Sequence, residues 1–353
     1  MPQGVEVLSN GLPDPALRQP ARVEIAEAVN TSTTFSLMYD FSIEDSDFPM
    51  LTDTRIGPEA DIALRVAHDT QFLVLVRGPV TRQRIRILTG GAGSVLEAIG
   101  ADVTVALARE AKVQVWPETT DAAALTQLLT AATIVPRVTL PSSVVHSDTK
   151  HALVQRESDL HFIRRLARRH GCWMWLEYDP VTTLPTAHIE RPPVDGPTVA
   201  QLHLAGSERN VDELHIEWDV ERMVGADAAH RDQFGDADMD GSIERSPLNA
   251  MADQALADIV KSPRKARLST PVDDAGDLMV RSEAALIEAG WFVTAQLSVR
   301  KRVLKKVLRP AGVVEIHGAG TRHSGKYLVS RVTHFIDDDD HRMDLTLVRN
   351  AWY

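Results

Sequence analysis

Apolar residues in the first hundred positions alternate with polar ones, as they do in half-buried β-strands. In FSLMYDFSI (35–43) every second residue from Phe35 to Ile43 is apolar or aromatic. The alternation recurs in DIALRV (61–66), and QFLVLVRGPVT (71–81) is a more continuous apolar run that ends at a Gly-Pro turn signal. Shorter candidate strands follow at 85–87 and 103–107. The pattern predicts a barrel or sandwich of short strands.

Helical periodicity replaces this alternation in the middle of the chain. Leucines recur at helical spacing in DAAALTQLLTAA (121–132). A second helix is predicted over 155–171, where Ser158 can cap the N-terminus and Gly171 can end the last turn. Strands are predicted next, at 172–179 and 186–191. This part therefore has an α/β pattern.

The last third returns to a β pattern that two helices interrupt. A strand is predicted over 210–222. A helix is predicted over 246–261, with Ser246 as its cap and Pro247 at its first position, and another over 277–290. Further strands are predicted at 291–299, 313–316, 327–336 and 342–348.

Composition narrows the possible classes of protein. The chain has 353 residues, a formal net charge of −11 and a single cysteine, Cys172, which excludes an internal disulfide. The negative charge argues against nucleic-acid binding by the whole surface. No apolar run is long enough to cross a bilayer, and the N-terminus lacks the pattern of a secretory signal. We therefore expect synthesis in the cytoplasm and no membrane span.

The segment GAGTRHSGKY (318–327) nearly spells a phosphate-binding loop. A residue that can hold magnesium should follow Lys326, where this chain has Tyr327. A phosphate loop also leads from a strand into a helix, whereas YLVSRVTHFI after Lys326 has the pattern of a strand. The glycines suit a turn between two strands. The sequence therefore predicts a hairpin here and no nucleotide or other cofactor site.

Two motifs resemble those of the phage late control protein D family. LVQRESDLHFIRRLARRHGCWMWLEYD is similar to the family's helix start and the aromatic strand after it, while GAGTRHSGKYLVSRVTHFID and MDLTLVRNAW resemble its C-terminal signature. The matching positions, to which the resemblance assigns structural roles, are Arg156, Glu157, Ser158, Asp159, Gly171, Gly318, Gly320, Ser324, Gly325, Tyr327 and His334.

The resemblance implies an α+β, mainly β fold with two barrel-like antiparallel β-domains, α/β and helical insertions, and a trimeric hub. We assign residues 1–115 to the first β-domain, 116–205 to the α/β insertion and 206–353 to the second β-domain. The second β-domain would carry a helical insertion over about 244–290.

The implied function is that of a baseplate hub in a contractile phage tail or injection system. A homotrimer would present a quasi-sixfold ring to the hexameric inner tube and threefold symmetry to the spike, among other baseplate proteins. Spike-fused relatives continue beyond the second barrel, whereas here the closing strand reaches Tyr353. We therefore expect the spike to be a separate protein.

Other site chemistries fit the sequence less well. DADMDGSIERSP (236–247) places Asp236, Asp238, Asp240, Gly241 and Ile243 as in a calcium loop, but the twelfth position, which should be Glu, is Pro247. Calcium binding and a simple acidic loop both remain open. His317, His323, His334 and His341 could supply zinc ligands, but no pattern fixes them on one face.

No catalytic spacing is identified, so we predict no catalytic site and no metal site. The alternative function is a stand-alone β-rich cell-wall hydrolase or glycan-binding protein that uses carboxylates the sequence does not single out.

Overall fold

The computed structural model describes residues 4–17, 20–41, 49–148, 152–231, 238–268, 272 and 275–353. The strands are β1 (Val5–Ser9), β2 (Leu12–Pro13), β3 (Arg22–Ala28), β4 (Thr34–Phe41), β5 (Asp61–His68), β6 (Gln71–Arg86), β7 (Ser94–Ala101), β8 (Gln114–Trp116), β9 (Thr119–Thr120), β10 (Val135–Val138), β11 (Val145–His146), β12 (Leu153–Gln155), β13 (Trp173–Tyr178), β14 (Pro185–Glu190), β15 (Thr198–His203), β16 (Val211–Trp218), β17 (Gly225–Arg231), β18 (Asp238–Asp240), β19 (Gln254–Ala255), β20 (Lys265–Leu268), β21 (Val293–Arg300), β22 (Val313–His317), β23 (Gly325–Ile336), β24 (His341–Arg349) and β25 (Ala351–Trp352).

The α-helices are α1 (Asp121–Ala131), α2 (Asp159–Arg169), α3 (Leu256–Ile259), α4 (Ala275–Ala289), α5 (Lys301–Leu304) and α6 (Gly320–His323). Short 3-10 helices lie at Pro15–Leu17, Pro49–Thr52, Thr54–Ile56 and Val103–Ala108. None of the helices in the described ranges is both long and apolar enough to cross a membrane. The helices predicted over 121–132, 155–171 and 277–290 are confirmed as α1, α2 and α4. The predicted α+β, mainly β fold class is also confirmed.

One antiparallel sheet joins the N-terminal and C-terminal β regions. We call the run of neighbouring strands β16, β21, β24, β23, β3, β4, β7 and β6 the central sheet. The two regions meet where β23 pairs with β3, with His334 opposite Ile25. Because residues directly opposite one another share a face, the register carries one apolar face across the whole run, from Leu297 opposite Leu345 to Leu37 opposite Ala98.

The largest core lies on this apolar face. It contains Ile25, Phe35, Leu96, Leu297 and Leu345, all buried, and strands β1, β5 and the first part of β6 contribute further residues to it. Alternation with period two explains why each strand of the central sheet buries every second side chain. The opposite face remains partly exposed.

The middle segment forms a smaller α/β unit with its own core. Strands β10, β14 and β13 form a three-stranded sheet, in which β10 and β14 run parallel. Helices α1 and α2 contribute the buried Leu125, Leu129, Phe162, Ile163 and Leu166 to the second core cluster. The α/β pattern predicted for the middle of the chain is therefore present.

The helix predicted over 246–261 is wrong except for the single turn of α3. The side chain of Asn350 forms hydrogen bonds with backbone groups that would otherwise bond within the helix. Met251 N donates to Asn350 Oδ1 (2.9 Å), and Asn350 Nδ2 donates to Asn249 O (2.9 Å). Residues Gln254–Ala255 then pair as a strand with β25. Tertiary hydrogen bonds have overridden the local helix signal.

The strand predicted at 103–107 is also wrong, because this segment is the 3-10 helix Val103–Ala108. Asp102 precedes it and accepts hydrogen bonds from Thr104 N (2.9 Å) and Thr33 N (2.5 Å). Such a buried capping carboxylate favours a helical turn over an extended strand. Part of the first predicted strand, including Ile43, lies outside the described residues.

Candidate functional site

The partly exposed face of the central sheet is a broad polar surface. Cross-strand pairs cover it: Ser36 Oγ donates to Glu97 (2.7 Å), and Ser298 Oγ donates to Asp344 (2.6 Å). Phe335 lies between two guanidinium groups, with Arg22 at 5.3 Å and Arg342 at 4.6 Å from its ring centroid. Charges of both signs therefore alternate across a surface with no single dominant sign.

One end of the central sheet is an open, basic edge on β6. Residues Gln71–Pro79 of this strand pair with β5, whereas Arg82–Arg86 pair only with β7 among the described residues. Arg82, Arg84 and Arg86 point from the polar face and are exposed. On the apolar face Ile85 is 47% exposed. Since no other described strand pairs with Arg82–Arg86, this edge offers backbone hydrogen-bonding groups to a strand of another chain.

The other end is an open, acidic edge on β16. Within the described residues this strand pairs only with β21. Glu213, His215 and Glu217 are exposed. Ile216 lies opposite Ala295 on the apolar face, and Trp218 at the end of the strand is 51% exposed. The two edges thus combine an apolar face with a charged face, and the charges are of opposite sign.

A buried charge network fixes the two β regions and the middle segment to one another. Arg309 Nε and Nη2 donate to Glu27 Oε2 at 2.9 and 2.5 Å, and Nη2 also donates to Leu176 O at 3.2 Å. Arg309 further donates to the carbonyls of Val74 and Leu75. One guanidinium therefore joins β3, β6 and β13 beneath the central sheet. Burial raises the pKa of Glu27, but Arg309 and His334 outweigh it and the net pKa is lowered.

His334 continues this network and is fully buried. Its Nε2 lies 2.9 Å from Glu27 Oε1, and its Nδ1 lies 3.0 Å from His341 Nε2. Because a carboxylate only accepts, Nε2 of His334 donates to Glu27. Burial and the neighbouring His334 lower the pKa of His341 to about 2. His341 is therefore neutral in the folded chain near neutral pH.

The motif Arg156–Asp159 forms the start of α2. Ser158 caps the helix by accepting from His161 N, and Asp159 Oδ2 accepts from Lys112 Nζ at 2.6 Å. Glu157 accepts from Arg165 Nε at 2.6 Å, and Arg156 is exposed. Gln155 Nε2 donates to Asp159 Oδ1 at 2.7 Å. These contacts tie the helix start to its neighbours and contain no reactive arrangement.

Gly171 ends α2 in a left-handed conformation with φ of 68°. A Cβ at this position would lie 2.7 Å from Ile287 Cδ1 and 3.0 Å from Ala284 Cα. The glycine therefore supplies both the terminal turn and the close approach of α4. Nearby Cys172 is buried, and burial raises the pKa of its thiol to about 12, so the thiol stays protonated near neutral pH.

The segment 318–327 is a hairpin, as predicted. Strands β22 and β23 pair antiparallel, and α6 lies in the loop between them. Gly318, Gly320 and Gly325 all have positive φ. Ser324 Oγ donates to Gly320 O at 2.7 Å, and Tyr327 Oη donates to His323 O at 2.9 Å. Because a strand follows Lys326, the geometry of a phosphate loop is not formed.

The candidate metal ligands are not gathered into a site. Asp236 lies outside the described residues, while Asp238 and Asp240 belong to the extended strand β18 and are exposed. His317 stacks on His203, apart from the His334–His341 pair, and His323 lies in α6. Within the described ranges, no group of three or more His, Cys, Asp or Glu side chains has metal-binding geometry.

A second buried cluster lies in the middle segment and was not anticipated from the sequence. Asp121 Oδ1 lies 3.0 Å from His146 Nε2, and Asp121 Oδ2 lies 2.7 Å from His170 Nε2. Arg169 Nε lies 2.9 Å from Asp121 Oδ2. These hydrogen bonds and charges outweigh burial and lower the pKa of Asp121. The cluster holds α1 against α2, and it includes no candidate nucleophile.

Comparison with known proteins identifies the family. The sequence profile of the phage tail baseplate hub (GPD) family matches residues 102–340. No curated protein matches the chain by sequence.

Solved structures share the fold over nearly the whole chain. A tail protein from Neisseria meningitidis MC58 is 16% identical, with a TM-score of 0.68 over 99% of this chain and 97% of that chain. The 43 kDa tail protein of prophage MuSo2 from Shewanella oneidensis is 14% identical, with a TM-score of 0.67 over 99% of each chain. The Escherichia coli c3393 protein, a component of the type VI secretion system, is 14% identical, with a TM-score of 0.63 over 99% of this chain and 78% of that chain.

The family match confirms the resemblance, because it covers the helix start at 156–159 and the glycine hairpin at 318–327; the closing segment 343–352 lies beyond the matched residues. The chain therefore belongs to the phage tail baseplate hub family, whose role is structural.

Proposed function

We propose that three copies of this chain form a ring by head-to-tail pairing of their central sheets. The observation that carries the proposal is the pair of open edges, basic on β6 and acidic on β16. An open edge strand invites pairing with another chain. Pairing of two different edges is heterologous and closes into a ring when the rotation between copies allows it. The number three follows from the family resemblance.

In this ring the apolar and polar faces of neighbouring sheets continue one another. Ile85 on one copy would extend the apolar face beside Ile216 and Trp218 of the next copy. On the other face, Arg82 and Arg86 would lie near Glu213 and Glu217. Such complementarity sets the register of association and disfavours wrong partners. The continuous polar face would then line or surround the axis of the hub.

The ring acts as a non-enzymatic adaptor in the baseplate of a phage tail or injection particle. It would receive the inner tube on one side, and on the other it would hold a spike carried by a separate chain. Its synthesis is cytoplasmic and it assembles with other baseplate proteins, without specific binding to nucleic acid. In support, a chain in the Francisella PdpA–VgrG complex shares the fold, with a TM-score of 0.54 at 8% identity.

In this assembly the three segments of the chain would have different roles. Residues 1–115 and 206–353 would act as two similar halves, so that three chains offer six related surfaces to a hexameric tube. Residues 116–205 would form the α/β insertion on the outside. The shared core beneath β3 and β23 supports a rigid relation between the halves.

Charge reversal at the two edges tests the ring. Arg82→Glu with Arg86→Glu, or Glu213→Arg with Glu217→Arg, should each prevent incorporation into particles, because like charges then meet across the interface. Particles carrying both pairs of changes should recover three copies around the axis, counted by electron microscopy. Arg137→Glu with Arg267→Glu, exposed residues outside the central sheet, provides the matched control.

Two results would contradict the proposal. Normal assembly of either single-edge variant would show that the edges do not pair. Six copies, or two, around the axis of wild-type particles would exclude the threefold ring.

A further inference from the structure

A cavity of about 390 Å³ opens to solvent where the three segments of the chain meet. Helix α2 and Trp173 line it from the middle segment, and α4 and Trp291 line it from the C-terminal β region. Asn30, which follows β3, contributes to it from the N-terminal β region. The volume lies within the range of ligand-binding sites, about 300–1,000 Å³, and such sites are common where separate structural units meet.

Much of the cavity wall is apolar and aromatic. Trp173 and Trp291 contact one another, with their ring centroids 5.3 Å apart and their planes at 41°. Both side chains are more than nine-tenths buried, and Ala284 and Ile287 of α4 extend the apolar lining. Gly171 allows α4 to approach this closely, because a Cβ there would lie 2.7 Å from Ile287 Cδ1. Such a wall suits an aromatic group, since aromatic rings pack favourably in offset or edge-to-face arrangements.

Contacts among the three segments hold the walls of the cavity in place. Asn30 N donates to Met174 O at 2.7 Å, and Asn30 Oδ1 accepts from Met174 N at 2.8 Å, which fixes the turn after β3 against β13. On the other side, Arg191 pairs with Glu283 of α4. A site whose walls are fixed before binding loses less conformational freedom when a ligand enters.

Arg164 is a half-buried cation at this cavity, and no carboxylate in the described part of the chain forms an ion pair with it. Its Nη2 donates to Ser32 Oγ at 2.9 Å. Asp102 acts on its charge from beyond ion-pair distance, and the oxygens of that carboxylate accept from Thr33 N and Thr104 N. Burial lowers the pKa of Arg164 although Asp102 opposes the shift. The charge of this guanidinium is therefore only partly compensated, and a ligand carboxylate would stabilise it.

The other two charged side chains at the cavity pair with one another. Arg168 Nη2 lies 2.6 Å from Glu288 Oε1, and both side chains are mostly exposed. Among the described residues that line the cavity, Glu288 is the one carboxylate, so two arginines face one glutamate. This positive excess favours an anionic group. The lining therefore suits a ligand that combines an aromatic group with a carboxylate.

We propose that this cavity receives an aromatic side chain of a partner protein, from a segment in which an acidic residue adjoins the aromatic one. The ring packs against Trp173 and Trp291, and the neighbouring carboxylate accepts from the guanidinium of Arg164. A partner protein is the source because the role of this family is structural. Aromatic residues buried in pockets are frequent anchors of protein interfaces. None of the lining residues belongs to β6 or β16, so the site does not depend on the ring.

Three short peptides test the ligand class by isothermal titration calorimetry of the full-length chain. Acetyl-Glu-Phe-Glu-amide should bind at millimolar concentration. Acetyl-Gln-Phe-Gln-amide should bind at least about fivefold more weakly, since it lacks the negative charge that Arg164 binds. Acetyl-Glu-Ala-Glu-amide, which lacks the ring, should not bind detectably. Absence of binding by the first peptide, or equal affinity of either of the other two, would overturn the proposal.

Matched variants identify the side chain that binds the carboxylate. Arg164→Met should abolish the preference for glutamate over glutamine, whereas Arg165→Met should not, because Arg165 is exposed, pairs with Glu157 and does not line the cavity. Glu288→Gln should strengthen binding of the glutamate peptide, since it releases Arg168. This exposed substitution decides the question if Arg164→Met does not fold. Equal losses in the two arginine variants, or no gain in Glu288→Gln, would overturn the proposal.

Structures of two complexes test the location and the source of the ligand. A crystal structure with acetyl-Glu-Phe-Glu-amide should place the phenyl ring against Trp173 and Trp291 and a carboxylate on Arg164. High-resolution imaging of assembled particles should show a segment of another baseplate protein in the same cavity. A peptide bound elsewhere, a cavity that holds no protein segment in the particle, or a segment from a second copy of this chain would overturn the proposal. Phenylpropionate that bound as tightly as the peptide would also overturn it, because a free acid would then suffice.

Discussion

Replacing Arg309 by methionine isolates the energetic role of the buried network. The side chain of Glu27 is 3% exposed, and its Oε2 accepts two hydrogen bonds from Arg309. Methionine fills a similar volume but leaves this carboxylate with His334 as its remaining partner. Since β3, β6 and β13 all contact the same guanidinium, we expect the loss to affect the whole chain rather than one loop.

The structure sets the magnitude of this effect. Removing one member of a buried ion pair costs about 3–5 kcal/mol, because the other charge stays buried and unpaired. The carbonyls of Val74, Leu75 and Leu176 also lose a donor, at about 1–3 kcal/mol for each group that no water or neighbour satisfies. Contributions within one network do not add. We therefore expect a loss of at least about 3 kcal/mol in the free energy of unfolding near pH 8.

The loss should depend on pH with a defined sign. In the wild type the net pKa of Glu27 is lowered, so its ion pair contributes stability above the unfolded-state pKa and loses it as pH falls through the folded-state value. Without Arg309 the largest lowering contribution disappears while burial remains, which raises the folded-state pKa. The variant can then protonate Glu27 as the pH falls. The difference in the free energy of unfolding between the variant and the wild type should therefore be smaller at pH 5 than at pH 8.

Urea unfolding of the full chain at both pH values measures these differences. Arg168→Met is the matched control, because the Arg168–Glu288 pair is 75% and 60% exposed and should contribute at most about 1 kcal/mol. The double variant Glu27→Gln with Arg309→Met should recover part of the loss, since no charge is then buried. If Arg309→Met costs no more than the control, or if the double variant recovers nothing, the reasoning about Glu27 is wrong.

Further substitutions test the helix, the glycine and the buried histidine. Leu166→Asp should cost at least about 3 kcal/mol by burying an unpaired charge, whereas Arg168→Ala should change the free energy of unfolding by less than about 1 kcal/mol; equal losses would make the basic face of α2 an interface. Gly171→Ala should lower the thermal midpoint, because alanine is strained at the positive φ of this position and its Cβ would clash with Ile287. An unchanged midpoint would contradict this. His341 has a folded-state pKa of about 2, so the unfolded chain binds its proton first and stability should fall below about pH 6.5, a trend that His341→Gln should weaken.

The sequence predicted an element correctly where the residues that determine it lie within a few positions of one another. Ser158 and Gly171 predicted both ends of α2, because capping and a left-handed terminal glycine act within one helical turn. The hairpin at 318–327 was predicted for the same reason. Resemblance then supplied the family and the hub role, which composition and periodicity alone did not reach.

Distant partners explain the errors. The cap at Ser246 was present in the sequence, and Ser246 Oγ does accept from Leu248 N (3.4 Å), but Asn350 lies about one hundred residues away and its hydrogen bonds prevent the helix. In the same way the alternation at 103–107 concealed the capping role of Asp102. A local window contains Asp102 itself, but it contains neither Asn350 nor the Thr33 N–H that also bonds Asp102.

The buried network left one signal that sequence reasoning could have used. In RVEIAEA (22–28) the positions that alternate into the core are Val23, Ile25 and Glu27. A carboxylate in that register requires a buried partner. The identity of the partner, Arg309, could not follow from the sequence because the pairing joins segments separated by 282 positions.

The open edges show how much of the proposed function depends on topology. Both TRQRIR (81–86) and VDELHIEW (211–218) display their charges in the sequence, yet only the strand order places them at opposite ends of one sheet. The opposite charges of the two edges favour head-to-tail pairing over a twofold dimer. Two copies related by a twofold axis would bring Arg82 and Arg86 against themselves, or Glu213 and Glu217 against themselves, and like charges would repel. Head-to-tail pairing brings opposite charges together at every contact, so the same residues that favour the ring also disfavour a dimer.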